Sequence, residues 1–239
     1  MSERTAGNSP WGAALLGALG GTLLTLFVLL LAAKVGLLDR YVRDTMVREP
    51  DILIAASDAL KQKQFAPTLA ANRAAIETPF AASWQGARDG DVTLVEFYDY
   101  ACGYCKASLP IINRLIKEDP GLKVVYREFP ILGEGSVTAA RMALGASKAG
   151  KFMAFHDALY AAGRPDQQGL TRAAQAAGVP AAVPQSADIE AELRRNFQLA
   201  QELGATGTPL FIVGDQVFNG AVGYDVLKQA ISDARARRG

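Results

Sequence analysis

Apolar and polar positions along the chain fall into stretches with different periods. Trp11 to Ala33 is a run of 23 residues without a charged side chain. At a helical rise of about 1.5 Å per residue it spans the roughly 30 Å hydrocarbon layer, which predicts an uncleaved transmembrane helix. A cleaved signal peptide has a shorter apolar core that ends in a small-x-small site, and Leu31 and Ala33 make a poor one. Leu38 to Ile76 is alanine-rich with interspersed charges. Within it Pro50-Asp51 followed by Ile52, Leu53, Ala56 and Leu60 predicts an amphipathic helix starting at Pro50. That stretch reads equally as a stalk packed along one face and as an oligomerisation segment.

Beyond the turn cluster Gly86 to Asp91 the period changes. Val92 to Tyr98 is β-rich, Leu109, Ile112, Leu115 and Ile116 recur at helical spacing, and Asp119-Pro120-Gly121 closes that helix. Leu122 to Phe129 predicts a second strand, so the order is β-α-β. Ser136 to Leu203 is helical in pattern, with breaks around Gly163-Arg164-Pro165 and Gly178 to Pro184. Leu210 to Val213 and Gln216 to Phe218 flank Gly214-Asp215 as a hairpin, and Tyr224 to Arg238 predicts a closing helix. The expected organisation is a tail (1–10), a transmembrane anchor (11–33), a helical stalk or oligomerisation segment (34–79) and an α/β domain (80–239) with a helical insert over about 136–203.

Composition narrows the function. The 25 basic and 24 acidic residues leave a net charge of +1, which argues against a nucleic-acid partner. Flanking charge bears on orientation: Lys34, Arg40 and Arg43 follow the apolar run, and only Arg4 and the terminal amine precede it. The positive-inside rule taken alone keeps the domain in the cytoplasm, but it weakens where a long folded domain follows the span. A chain whose two cysteines, Cys102 and Cys105, stand three positions apart, as a redox pair would, favours an oxidising compartment, so the expectation is a single-pass bacterial inner-membrane protein with its domain in the periplasm.

The two cysteines, Cys102 and Cys105, are the only ones in the chain and stand where the first strand gives way to a helix. A thiolate at a helix N-terminus is stabilised by unpaired N–H groups and by the macrodipole. Cys102 takes that place, and Cys105 lies one turn further in. This makes Cys102 the nucleophile and Cys105 the resolving thiol. Zinc would want four ligands, and the chain adds only His156 to the pair. Two inert core cysteines and a small-loop structural disulfide are the other readings, and neither uses the strand-to-helix position.

The segment Val95-Glu96-Phe97-Tyr98-Asp99-Tyr100-Ala101-Cys102-Gly103-Tyr104-Cys105-Lys106 resembles the active-site strand and helix of DsbA-family proteins, with Pro110 at the place of the kinking proline. Thr206-Gly207-Thr208-Pro209 resembles the family's cis-proline loop. Arg127-Glu128-Phe129-Pro130, Ala139-Ala140-Arg141 and Phe155-His156-Asp157-Ala158-Leu159 extend the resemblance from about Phe80 to the end. It implies a thioredoxin-like fold with an inserted helical subdomain. It also implies a cis peptide at Pro209 and a substrate-facing surface of Gly103, Tyr104, Thr208 and Pro209. Glu96 is then a candidate proton acceptor for Cys105, set against a strand glutamate that points to water. His156 falls in the insert as a packing or capping residue. The Gly103-Tyr104 dipeptide, with threonine before the proline, is similar to that of the periplasmic disulfide isomerases, which leaves oxidase and isomerase both open.

The implied activity is formation, reduction or isomerisation of disulfides in exported proteins, with no cofactor or metal. The implied partners are cysteine-containing exported proteins, a membrane redox partner and, through the stalk, a second copy of the chain. The competing readings are a peptide-binding, chaperone-like module with incidental cysteines and a cytoplasmic-facing disulfide reductase.

Overall fold

Alternation at period two places the strands in a sheet that is covered on both faces. In the computed structural model, which describes residues 24–31, 34 and 37–237, five strands take the order β1-β3-β2-β4-β5. They are β1 (Trp84–Gly86), β2 (Val92–Tyr98), β3 (Leu122–Glu128), β4 (Leu210–Val213) and β5 (Gln216–Asn219). β2 and β3 run parallel, with Val92 opposite Leu122 and Tyr98 opposite Glu128. The other neighbours are antiparallel. A parallel pair needs a crossover, and α3 (Gly103–Glu118) supplies it. β2 is central and buried at every position.

Between β3 and β4 lie α4 (Glu134–Lys148), α5 (Phe152–Ala162), α6 (Gln167–Ala177) and α7 (Ala187–Glu202), and α8 (Tyr224–Ala236) closes the chain. On one face of the sheet Val92, Leu94, Tyr98, Val124, Tyr126 and Phe211 pack with apolar side chains of α3, α4, α5, α6 and α8. On the other, Val95, Phe97, Val125, Leu210 and Ile212 pack with Leu199 and Ala200 of α7, with Leu203 directly after it, and with Leu69 and Ile76 of the long helix α2 (Asp51–Glu77). The insert therefore contributes to both layers.

Chain connectivity at the hairpin depends on one glycine. Gly214 has φ +57, and a Cβ there would lie 2.9 Å from that of Ala234. A larger residue is excluded by both backbone and packing.

Two compact units divide between Ala59 and Leu60. In the N-terminal unit residues 24–31, α1 (Leu37–Arg48) and the first turns of α2 are helical. Ile52, Leu53 and Ile54 there are exposed. The span expected over Trp11–Ala33 and the tail lie mostly outside the described residues. Among the described residues no helix is long and apolar enough to cross a membrane. In the C-terminal unit the core reaches back beyond residue 80. Leu69 and Ile76, seven positions apart and so on one helical face, are buried against the chain's own sheet, which occupies part of the face expected to pair stalks.

The end of α2 is fixed by a buried cation. Arg127 on β3 is 2% exposed and donates from Nε to the Ile76 carbonyl at 3.1 Å. Its other nitrogens reach the Ala75 and Thr78 carbonyls, Asn196 and, at 2.5 Å, Glu192 Oε1. Burial lowers its pKa, and Glu192 acts against that shift. The otherwise orphaned carbonyls at the end of α2 are thus paired.

Candidate active site

Cys102 is the N-cap of α3. Its backbone is extended (φ −80, ψ 115), and its sulfur does what a serine or aspartate oxygen does at other helix starts, accepting from the Cys105 amide at 3.4 Å. The Cys102 amide donates to the Asp99 carbonyl at 3.0 Å, which ties the loop to the end of β2. Across from it, Cys102 Sγ lies 3.3 Å from the Thr208 carbonyl and can donate to it. The Thr208–Pro209 peptide bond is cis, as the resemblance implies. Both cysteines are free thiols, with Cys102 7% exposed and Cys105 fully buried. The contrast in exposure expected from the spacing is present but narrow, because Cys102 is itself buried, with its sulfur against the Thr208 carbonyl.

The residues expected to face a substrate divide by exposure. Gly103 and Tyr104 are exposed, Tyr104 at 69%. Thr208 is half-buried and Pro209 buried, which leaves the Thr208 backbone as the part of that loop that meets the sulfur.

Glu96 does not point to water. It is 1% exposed on the face of β2 that carries the cysteines, and its Oε1 has no hydrogen-bond partner. Burial, and secondarily the charge of Cys102, raises its carboxyl well above the usual carboxylate range. Burial likewise pushes the Cys105 thiol far up, Glu96 adds to that rise, and a hydrogen bond from the Asp99 backbone partly opposes it. A buried acid whose charge raises the proton affinity of a buried thiol can take up that thiol's proton and pass it on.

Beside this lies a polar cluster that the sequence reading missed. Tyr98 Oη donates to Glu128, Tyr100 Oη lies 3.1 Å from Tyr98 Oη, and His156 Nδ1 lies 3.1 Å from Tyr100 Oη. His156 is packed among Tyr98, Tyr126, Phe152 and Tyr160, and burial lowers its pKa to about 3, so it is neutral and structural, consistent with a packing role. Asp99, fully buried directly after β2, was also missed. The available signal was a run of tyrosines and acids where a central strand and its end should be apolar.

Comparisons with known proteins agree with this geometry. The family model of the DSBA-like thioredoxin domain matches residues 93–232. A thioredoxin-like oxidoreductase from Silicibacter pomeroyi DSS-3 is 39% identical with a TM-score of 0.65, covering 70% of this chain and 99% of that one. A periplasmic thioredoxin-like protein from Salmonella enterica serovar Typhimurium is 33% identical with a TM-score of 0.64, covering 69% and 95%. The thiol-disulfide exchange protein alpha-DsbA2 from Wolbachia pipientis is 27% identical with a TM-score of 0.65, covering 74% and 97%. A curated relative, Na(+)/H(+) antiporter NhaA 1 of Salinispora arenicola (strain CNS-205), is 27% identical over 164 residues, 64% of this chain. The chain spans only 24% of that protein's length. The matched region holds the strand, the cysteine loop, the helical insert and the cis-proline loop, and on that ground the chain belongs to the DSBA-like thioredoxin domain family and is a thiol-disulfide oxidoreductase.

Proposed function

We propose that the chain exchanges disulfides in exported proteins through Cys102-Gly103-Tyr104-Cys105. The observation that supports this reading is the pairing of a capped sulfur at the N-terminus of α3 with a buried thiol one turn below it and a buried acid beside both. The Cys102 thiolate attacks a client disulfide. A Cys102–client S–S bond forms, the client S–S bond breaks, and the released client thiolate takes a proton from water. Cys105 then gives its proton to Glu96 and attacks Cys102 Sγ. The displaced client thiolate takes up a proton from water and leaves as a thiol, and Cys102 and Cys105 are left oxidised to a disulfide. Run backwards, the same steps oxidise a client dithiol. When a second client thiol resolves the mixed disulfide instead, Cys102 is regenerated and the client is isomerised. Direction follows from the potential of the pair against that of its redox partner.

The apolar run Trp11 to Ala33 supports a membrane tether, and the chemistry supports a periplasmic face for the domain, as does the likeness to a protein described as periplasmic. The exposed Ile52, Leu53 and Ile54 support self-association of the N-terminal unit. Protease added to spheroplasts is expected to digest the domain; full protection would instead support a cytoplasmic-facing reductase. The function itself is tested by insulin reduction and refolding of scrambled ribonuclease. Cys102→Ser is expected to abolish both, and retention of either would refute the reading.

A further inference from the structure

We propose that Glu128 and His156 are positioning residues for the exchange reaction, the two ends of a buried hydrogen-bond chain that runs through Tyr100 of the cysteine loop and reverses its direction with one proton. The inference rests on the exchange reading given above. Glu128 ends β3, Tyr98 ends β2, Tyr100 lies in the loop before Cys102, and His156 stands on α5. All four side chains are buried. Tyr98 Oη is bonded to Glu128 Oε1 and lies 3.1 Å from Tyr100 Oη, which in turn lies 3.1 Å from His156 Nδ1. The chain stops at both ends, where Glu128 Oε2 and His156 Nε2 have no partner.

A tyrosine hydroxyl carries one hydrogen and a neutral imidazole one N–H, so these three contacts allow two orders of donors. With a proton on Glu128, the carboxyl donates to Tyr98, Tyr98 to Tyr100 and Tyr100 to His156 Nδ1, and the imidazole hydrogen is on Nε2. When the chain gives one proton to water, four hydrogens become three and every donor turns round. His156 Nδ1 then donates to Tyr100, Tyr100 to Tyr98, and Tyr98 to the Glu128 carboxylate. Any mixed order leaves two lone pairs or two hydrogens facing each other in a buried place. The titratable groups around the chain are Glu96, Tyr98, Asp99 and Tyr100 on and after β2, Tyr126 on β3, His156, Asp157 and Tyr160 on α5, and Cys105 on α3. Burial raises the Glu128 carboxyl well above the usual range, opposed by the Tyr98 hydrogen bond and reinforced by the charge of Asp99. Burial lowers the His156 pKa to about 3, so the ring changes tautomer and not charge while Glu128 titrates.

The chain reaches the reaction through the loop. Helix α5 holds that loop twice, one turn apart. His156 meets Tyr100, and Tyr160 Oη donates at 3.3 Å to the Asp99 carbonyl, which also accepts from the Cys102 amide. A buried charge on Glu128, opposite Tyr98 where β2 leads into this loop, opposes a second negative charge on Cys102. Exchange is therefore favoured while Glu128 keeps its proton.

The alternative is a cluster that only holds α5 to the sheet, with one order of donors at every pH. His156 is the chain's one histidine, so nitrogen NMR of the full chain with isotope-labelled histidine reads its tautomer directly. Between about pH 5 and pH 9 the ring is expected to pass from the Nε2–H to the Nδ1–H form without becoming imidazolium. Glu128→Gln should abolish that change, and Glu96→Gln should keep it. On hydroxyethyl disulfide, the exchange rate of the unaltered chain divided by that of Glu128→Gln should fall about threefold across the same pH interval. If Glu128→Gln does not fold, Tyr100→Phe, which cuts the chain in the middle, should abolish the tautomer change and serve as the divisor. One tautomer throughout in the unaltered chain, a change that survives Glu128→Gln or is lost in Glu96→Gln, or a rate ratio that does not vary with pH would each overturn the proposal. Failure of the unaltered chain on hydroxyethyl disulfide would count against the exchange reading instead.

Discussion

Adjacent strands of the central sheet bury a charged group on each face, and the sheet treats them oppositely. On the α2 and α7 face Arg127 is saturated, with Glu192, Asn196 and the carbonyls at the end of α2 all reaching its guanidinium. On the cysteine face Glu96 keeps an oxygen without a partner, two positions before Tyr98 on β2. A buried charge that serves the fold is paired, because an unpaired one costs several kcal/mol. Where the group must change its protonation during a reaction, a fixed counter-charge would hold it in one state. The comparison teaches which buried charges to read as structural and which as chemical.

Removing Arg127 is the largest test of the difference. Arg127→Ala leaves Glu192 and the α2 carbonyls without their donor and should cost about 3–5 kcal/mol in urea unfolding. Exchange per folded molecule should be little changed. Loss of activity without loss of stability would erase the distinction between the two faces. Glu96→Gln should behave in the reverse sense. Turnover should fall about 10²-fold at the step where Cys105 resolves the mixed disulfide, while the fold survives. Stopped-flow measurement of enzyme oxidation checks this.

The smallest effect is on the pH dependence of stability. A carboxyl whose pKa is raised in the folded state keeps its proton there after the unfolded chain has lost it near the ordinary glutamate value of 4.5. Stability is therefore undiminished below that pH. It declines as the pH rises through the interval up to the folded-state value, by at most about 1.4 kcal/mol per pH unit. Glu128 is raised in the same direction, by burial first, with its Tyr98 hydrogen bond opposing. Glu96→Gln should remove only one of the two contributions. Unfolding curves between pH 4 and 8 should show a shallower decline in the variant than in the unaltered chain.

The sequence made the β-α-β unit and its cysteine loop legible, because β2 is rich in β-branched and aromatic residues and α3 repeats its apolar residues at helical spacing. The hairpin was legible from Gly214-Asp215 in the same way. β1 was not, since three residues carry no period. The break between α4 and α5 was also hidden. Only Ala149-Gly150-Lys151 marks it, and the left-handed backbone of Gly150 ends the helix without a proline. The roles of Arg127, Glu128 and Asp99 depend on partners 30 or more positions away, which local pattern does not encode. Glu96 was legible as a candidate, but its burial had to come from the fold.

In the proposed exchange Cys102 attacks and Cys105, helped by Glu96, resolves. Acid quenching of Glu96→Gln during reaction with a peptide disulfide, followed by mass spectrometry, tests it most directly. The account predicts an accumulated mixed disulfide carried by Cys102, with Cys105 still a thiol. A mixed disulfide on Cys105, or none at a time when the unaltered enzyme has turned over, would contradict it.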